Sequence, residues 1–511
     1  MTEAHVINVD LADVWSSKIR KDRELIRTLA WGDEVAVVER TDTHIEVVFT
    51  SFEAASDGSV IPKTTTGYIT PPKASGIKTN EAVIPKTNNK VLKVNFVDVQ
   101  QGDGCVIESP TGKVMLVDGG DNQMFARYLA GRFRGTSEEK PQLIECILVT
   151  HGDADHFDGL PEIMKSEKHA TPKKRLFIQP KRVYHNGIVK RPSKIDNKAV
   201  PDTKLLGKTA KIDGVLHVVG LVDDLIEVDP GEMNGPFKKW RAALNTYNKR
   251  SPIEFRRLEF GDDDAFEFLA EEDIKVEVLG PLVTKTNGKS ALRFLGDPPK
   301  GPRIGHESFE TTALESSGFS ASHTINGHSI VFKMTYGGVS FLFSGDLNDE
   351  AGRFLTMEHD QGRLNLQADV FKVPHHGSAD FSGAFIKAVA PIVSVVSSGD
   401  ESAQKEYIHP RATIMGALGK YSRVPEPLIF VTELVAFFSL EGWSKLSDAK
   451  KAKARGEFFA FSRAAFGMIK TRTDGKRLLV YTDSGNVKMK EAYAYQLDSA
   501  GVLEPAPVKK V

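Results

Sequence analysis

Cysteine is nearly absent. The 511 residues hold two, Cys105 and Cys146, each inside an apolar, strand-like run. Two thiols do not make a disulfide framework, and buried free thiols suit a reducing compartment. Excess charge of either sign is also missing: the formal net charge is −1, so global electrostatics do not announce a polyanion partner. No apolar run approaches the roughly 18 residues that span a bilayer. Met1-Thr2-Glu3-Ala4-His5 lacks a basic segment ahead of an apolar core, so no secretory leader is read. These absences predict a cytoplasmic protein without a membrane partner. Composition is ordinary for a globular protein, at 40% hydrophobic and 26% charged residues. The length predicts roughly two to four domains, the central one large enough for a sizeable core.

What the chain does have is concentrated between Thr150 and Gly159. There His151, Asp153, Asp155 and His156 place four potential metal ligands within six residues. They follow Leu143-Ile144-Glu145-Cys146-Ile147-Leu148-Val149, an apolar run that reads as a buried strand. Neutral imidazole suits Zn or Mn, and carboxylate shifts the preference toward harder ions such as Mn or Mg. Ligands alternating with one-residue gaps can wrap two ions. Clustering this much charge without a cation is costly.

The rest of the chain arranges itself around that stretch. Residues 1–70 read as a small β-rich domain, with a helix over 22–31 (Leu25 and Leu29 one turn apart) and strands at 34–39, 44–49 and 67–69. Packing, oligomerisation and substrate guidance all stay open for it. Residues 71–90, rich in Lys, Thr, Asn and Pro, read as a linker. From Val91 strands alternate with turns: 92–99, then the Gln101-Gly102-Asp103 turn, then a hairpin over 105–118 ending at Asp118. A helix is expected over 125–133. Residues 165–194 carry ten Lys or Arg against Glu167 alone, a stretch suited to a polyanion or to a plain solvated face. Tyr184-His185-Asn186-Gly187 forms a turn within it, with His185 as one further possible ligand. Residues from about 195 to 300 read as an insertion with no evident chemistry. His306, His323 and His328 follow in Ser/Thr-rich sequence. A hairpin then ends at Asp346, a strand at 369–373 ends in Pro374-His375-His376-Gly377-Ser378, and the strand 392–397 precedes His409-Pro410. Each of these strands puts polar residues past its C-terminal end, where open α/β sheets build sites. Residues 426–511 read as a β-rich extension, with Leu428–Val431 as a last sheet strand, β-like runs at Phe458–Phe461 and Phe466–Thr471, and the latter pairing with Arg477–Thr482.

Taken in order, Asp118, His151-x-Asp153-x-Asp155-His156, Ser344-Gly345-Asp346 and Pro374-His375-His376-Gly377-Ser378 resemble the metallo-β-lactamase superfamily. More narrowly, they resemble the C-terminal hydrolase domain of ComEC-type DNA-uptake proteins, a likeness shared by Gln101-Gly102-Asp103 and His409-Pro410. The likeness covers roughly residues 92–425, and it implies an α/β protein, an αβ/βα sandwich with the metals at one edge, over 91–425. It implies two divalent ions, Zn or Mn, with His151 and Asp153 on one, Asp155, His156 and His376 on the other, and Asp346 bridging. A hydroxide between the ions would attack phosphorus or a carbonyl carbon. Asp155 would act in catalysis as well. His375 and His409 would contact a phosphate or protonate the leaving group. Asp118 would orient a ligand imidazole, and Asp103 either shares that role or caps its turn. The sequence departs from the superfamily in two ways: Asp153 stands where a second His is usual, and no third-motif His is evident before Asp346, His185 being the best candidate. The membrane channel of ComEC is absent. The reading is a phosphodiesterase or nuclease acting on DNA or RNA, the alternative a metallohydrolase of a small phosphodiester, lactone, thioester or β-lactam. A homo-oligomer is compatible with it, and no protein partner can be named.

Overall fold

The computed structural model describes residues 4–54, 60–298, 318–399, 409–435, 437–441, 460–465, 467–483 and 491–511. His306, Phe458, Phe459 and Phe466 lie outside the described residues. The protein is mixed α/β, and its central core lies between two sheets.

The first sheet has ten strands. Edge to edge it runs through Glu254–Arg257, Arg182–His185, Cys146–Leu148, Val114–Val117, Cys105–Glu108, Leu92–Val97, Met468–Thr473, Arg477–Asp483, Ala492–Leu497 and Leu503–Ala506. The second has six: Ile274–Gly280, Val331–Tyr336, Val339–Phe343, Val370–Lys372, Val393–Val396 and Leu428–Val431. Alternation within each strand explains how the sheets pack, because successive side chains face opposite sides. Cys105, Ile107, Met115, Val117, Cys146 and Leu148 join Phe332, Phe341, Phe343, Val370, Val393 and Val395 in one buried cluster. The residues between them face outward. Val106, Leu116 and Ile147 pack with Phe125, Leu129, Leu160 and Trp240; Leu342, Phe371 and Val396 pack with Leu355, Phe385 and Leu418. The layers are therefore helix, sheet, sheet, helix. Phe332 and Phe343, paired on adjacent strands of the second sheet, stack with ring centroids 4.5 Å apart, and Phe96 of the first sheet stacks on Phe343 at 6.0 Å.

Three expectations change. Residues Leu25–Ala30 form a strand, not a helix, pairing with Leu11–Trp15 in a seven-stranded N-terminal sheet. A spacing of four is even, so Leu25 and Leu29 share a face in a strand as well as in a helix. The β-branched Ile26 and Thr28 and a waiting neighbour strand decide between them. Within the expected linker, Val83–Pro85 pairs with Ala4–Ile7. The C-terminal strands do not stand beside the core but continue its first sheet, Met468–Thr473 pairing with Leu92–Val97 across more than 370 residues of sequence.

The region 195–300 also does more than interrupt the sheet. It supplies the 16-residue helix Gly235–Arg250, capped by the Asn234 side chain accepting from Phe237 N–H. Phe237 packs on Phe157 with centroids 4.7 Å apart, and Lys239 Nζ reaches Asp158 at 3.0 Å. This helix backs the His/Asp loop.

Candidate metal centre

Strands of both sheets end at one edge. Cys146–Leu148 runs parallel to Val114–Val117, and Val339–Phe343, Val370–Lys372 and Val393–Val396 run parallel to one another. Asp118, the His151–His156 loop, Asp346, His375 and His376 follow directly on those strands. Distant segments of sequence thus deliver their side chains to one place. The backbone there is constrained. Asp118, His375 and His376 have φ of 58°, 50° and 52°, left-handed values that cost a non-glycine residue about 1 kcal/mol or more each. Gly102 (φ 99°) is required by contact: a Cβ built on it would stand 1.6 Å from the Asp155 carbonyl oxygen.

Asp103, His156, Asp346 and His376 form a buried group whose potential ligand atoms lie within 4.8 Å of one another. The group has two sides. On one, the imidazole Nδ1 atoms find hydrogen-bond acceptors. His156 Nδ1 donates to Asp118 Oδ2 (2.9 Å), and His376 Nδ1 donates to the Ser397 carbonyl (3.0 Å). Asp103 stands against both Nδ1 atoms, at 3.8 and 3.4 Å, and is paired with Lys372. Asp118 is fixed in turn by Thr150, whose N–H and hydroxyl donate to its two oxygens at 2.8 and 2.7 Å. Such partners set the tautomer and aim the ring.

On the other side the Nε2 atoms face carboxylates. His156 Nε2 lies 3.1 Å from Asp346 Oδ1; His376 Nε2 lies 3.2 Å from Asp346 Oδ2 and 3.5 Å from Asp155 Oδ2. His156 Nε2, His376 Nε2, His151 Nε2 and Asp346 Oδ1 are buried and make no hydrogen bond. Tetrahedral ligands at ~2.1 Å from an ion stand about 3.4 Å apart, so the spacing fits a cation among these atoms. Two imidazoles and two carboxylates, His156, His376, Asp346 and Asp155, would hold it, with His151 Nε2 at 3.9 Å from Asp346 Oδ2 on the flank.

Electrostatics agree with that arrangement. Burial opposes charge on His156 and His376, yet the Asp346 carboxylate outweighs it and holds both rings well above the ordinary imidazole value. Burial and the neighbouring His156 push His151 well below it. Burial would raise Asp103, but Lys372 and the imidazoles bring it down to about 2. Positive charge is what these carboxylates attract, from protons or from a metal.

The other expected residues fall into two groups. Asp153, Asp155, Lys190, His375, His376 and His409 line a cleft of about 530 Å³ open above the centre. Within it Asp153 is paired with Lys190 Nζ at 2.8 Å, and Gln101 Nε2 donates to Asp155 Oδ2 at 3.0 Å. Burial, His376 and His375 lower His409 to about 4; it is neutral at pH 7, which suits hydrogen bonding to a substrate and not donation of a proton to a leaving group. His185 stands apart: Gly187 N–H donates to its Nδ1 at 3.0 Å, and Nε2 meets the Asp223 carbonyl at 3.2 Å. His328 Nε2 meets the Arg293 carbonyl (2.7 Å) and His323 Nε2 meets Asp380 (3.0 Å). These three rings are bonded to Asp223, Arg293 and Asp380, partners far off in sequence that no residue spacing would reveal. Sequence reasoning missed Lys190, Lys372, Asn326 and Ser329, the last with its Oγ 3.3 Å from His151 Nδ1. Lys372 ends the strand Val370–Lys372 that leads to His375, and Lys190 lies in the loop after Arg182–His185; those positions are their only signal.

The basic stretch is partly spent within the fold. Lys165 pairs with Glu162, Lys181 and Arg182 with Glu145, Lys190 with Asp153, and Arg191 with Glu232. That is five of its ten cations.

The fold and site define a mixed α/β protein with a buried Asp/His centre able to hold metal. No family model matches the chain. A local stretch of 98 residues is 33% identical to ComE operon protein 3 of Bacillus subtilis (strain 168), covering 19% of this chain and 12% of that protein. A stretch of 90 residues is 36% identical to competence protein ComA of Neisseria gonorrhoeae, covering 17% and 12%. The aligned part thus spans about an eighth of the length of these curated relatives. Among solved structures, a mutant of CmlA beta-hydroxylase overlaps 79% of this chain and 72% of its own, at 11% identity and a TM-score of 0.28. Among the described residues no helix is long and apolar enough to cross a membrane.

Proposed function

We propose that this chain is a metal-dependent hydrolase of the metallo-β-lactamase type, acting on phosphodiester bonds of DNA or RNA with Zn or Mn. The observation that carries it is the convergence of His156 Nε2, His376 Nε2 and Asp346 Oδ1, buried and without hydrogen bonds, at the base of an open cleft. The ordered motifs that resemble ComEC-type domains and the local likeness to two competence proteins support this substrate class. When bound, a divalent ion supplies Lewis acidity, neutralising charge on a phosphoryl group and easing deprotonation of water. The chain's own residues do the rest. Asp118, Ser397 and Asp103 hold the imidazoles in orientation. Gln101 holds Asp155. His375 and His409 face the cleft where phosphate oxygens would lie.

Pairing of half the basic stretch with acids favours, as second reading, a small phosphodiester or ester substrate. Labelled single- and double-stranded DNA, incubated with purified protein and Mn, Zn or Mg beside a His156→Ala, His376→Ala double variant, separates the two. Cleavage by the wild type alone supports the nuclease. A wild type that binds metal but cuts neither strand form removes it, and small phosphodiesters and lactones become the substrates to assay.

A further inference from the structure

The loop His151–His156 offers two carboxylates at alternate positions, and the spacing alone suits two ions. Their surroundings differ. Asp155 faces His376 Nε2 at 3.5 Å. Asp153 faces no ligand imidazole at comparable distance. Its Oδ1 accepts from Lys190 Nζ at 2.8 Å. Its Oδ2 lies 2.9 Å from the Asn326 amide, oriented with the nitrogen toward Asp153. Both oxygens of Asp153 are therefore occupied by donors of this chain.

Lys190 is held in place. It follows the strand Arg182–His185 in a loop whose backbone is pinned: Asn234 N–H donates to the Lys190 carbonyl (2.9 Å), and Arg191 N–H donates to the Leu205 carbonyl (2.8 Å). Its side chain is one-quarter exposed, and it lines the cleft together with Asp346, His375 and His376. An ammonium here occupies the position where a second cation would need Asp153, and His151 and Asp346 alone are too few ligands to displace it.

The geometry points to a centre that holds one divalent ion, with the Lys190 ammonium as a second, built-in positive charge that binds an oxygen of an anionic, phosphate-like substrate. This rests on the proposed hydrolase reading and replaces the expectation of two ions. Lys190 forms no covalent bond in this role. It supplies a point charge and up to three N–H donors, one of them spent on Asp153. A lysine also loses no charge to chelators, so part of the phosphate affinity belongs to the chain itself.

The test starts without substrate. Metal-stripped protein is titrated with Mn by calorimetry and, after dialysis, assayed for bound metal by mass spectrometry. One equivalent is expected; two equivalents of similar affinity overturn the assignment. Mn-loaded protein is then titrated with inorganic phosphate. Lys190→Met should bind phosphate at least tenfold more weakly while keeping its one ion, and Lys190→Arg should stay within about threefold of wild type. Unchanged phosphate affinity in Lys190→Met overturns the role of Lys190, and weak binding by Lys190→Arg as well would mark Lys190 as structural only. Hydrolysis of bis(p-nitrophenyl) phosphate is measured separately. A one-ion protein without phosphodiesterase activity refutes the proposed function and leaves the one-ion centre standing; an active two-ion protein does the reverse.

Discussion

Asp153 and Asp155 are the same side chain, two residues apart on one loop, and they do different things. Asp155 looks at the His376 imidazole; Asp153 looks at an ammonium and an amide. The loop alone makes them equivalent ligands. What separates them arrives from elsewhere: His376 from the strand end at 372, Lys190 from the loop after 185, Asn326 from the short helix Ala321–Gly327. A carboxylate's role is set by the charge that the fold brings to it, and that charge sits far away in sequence.

The comparison breaks most completely if the carboxylate shared by both imidazoles is removed. Asp346→Asn should abolish tight ion binding and lower turnover by a factor on the order of 10³ or more, since several kcal/mol of transition-state stabilisation leave with the ion; calorimetry with Mn and the hydrolysis rate check it. The two loop carboxylates should then part company. Asp155→Asn is expected to weaken Mn binding roughly a hundredfold, as loss of one charged ligand does. Asp153→Asn should leave Mn binding within a few-fold and lower affinity for phosphate by releasing Lys190. Equal metal affinities in the two variants would mean that the loop does hold two ions. A smaller loss is expected one shell out: Asp118→Asn keeps the shape but weakens the grip on His156 Nδ1, costing about 10- to 100-fold in metal affinity. Thr150→Val, which removes one of the two bonds to Asp118, should cost less than that.

Much of this is legible in the sequence. Strand-then-ligand order located Asp118, His151, Asp155, His156, Asp346 and His376 at one edge, because a short apolar run followed by Gly, Asp or His has few other ways to bury itself. The helix expected over 125–133 lies within a residue of Met124–Arg132. Periodicity failed at Leu25–Ala30, where two periods coincide and a partner strand from residues 11–15 made the choice. It could not show that strands after residue 467 rejoin a sheet begun at residue 92, because pairing across such a distance leaves no local trace. Lys190 was counted in a basic stretch, and nothing in that stretch distinguishes the one cation that faces the cleft.

An imidazole–carboxylate contact outside the centre serves as its reference. His323 Nε2 and Asp380 Oδ2, 3.0 Å apart, make a closed pair: one ring, one acid, with Asp380 also accepting from Asp349 N–H at 3.2 Å. Burial opposes charge on His323, and the Asp380 carboxylate overcomes it and raises the ring above its ordinary value. Burial likewise opposes charge on Asp380, and the His323 bond brings it below the usual carboxylate range. The signs define a window. The raised imidazole contributes fully below pH ~6.5 and loses its contribution as pH rises through the folded value; the lowered carboxylate contributes above pH ~3.8 and loses it as pH falls. Denaturant unfolding of wild type and Asp380→Asn should therefore differ most near pH 5, by on the order of 1 kcal/mol, and converge toward pH 9. This difference should be the same with and without Mn, because one ring and one acid are too few ligands to hold an ion, whereas the effect of Asp346→Asn should depend on Mn throughout. A metal-dependent difference in Asp380→Asn would show that the two His/Asp sets are one network and would end their use as separate cases.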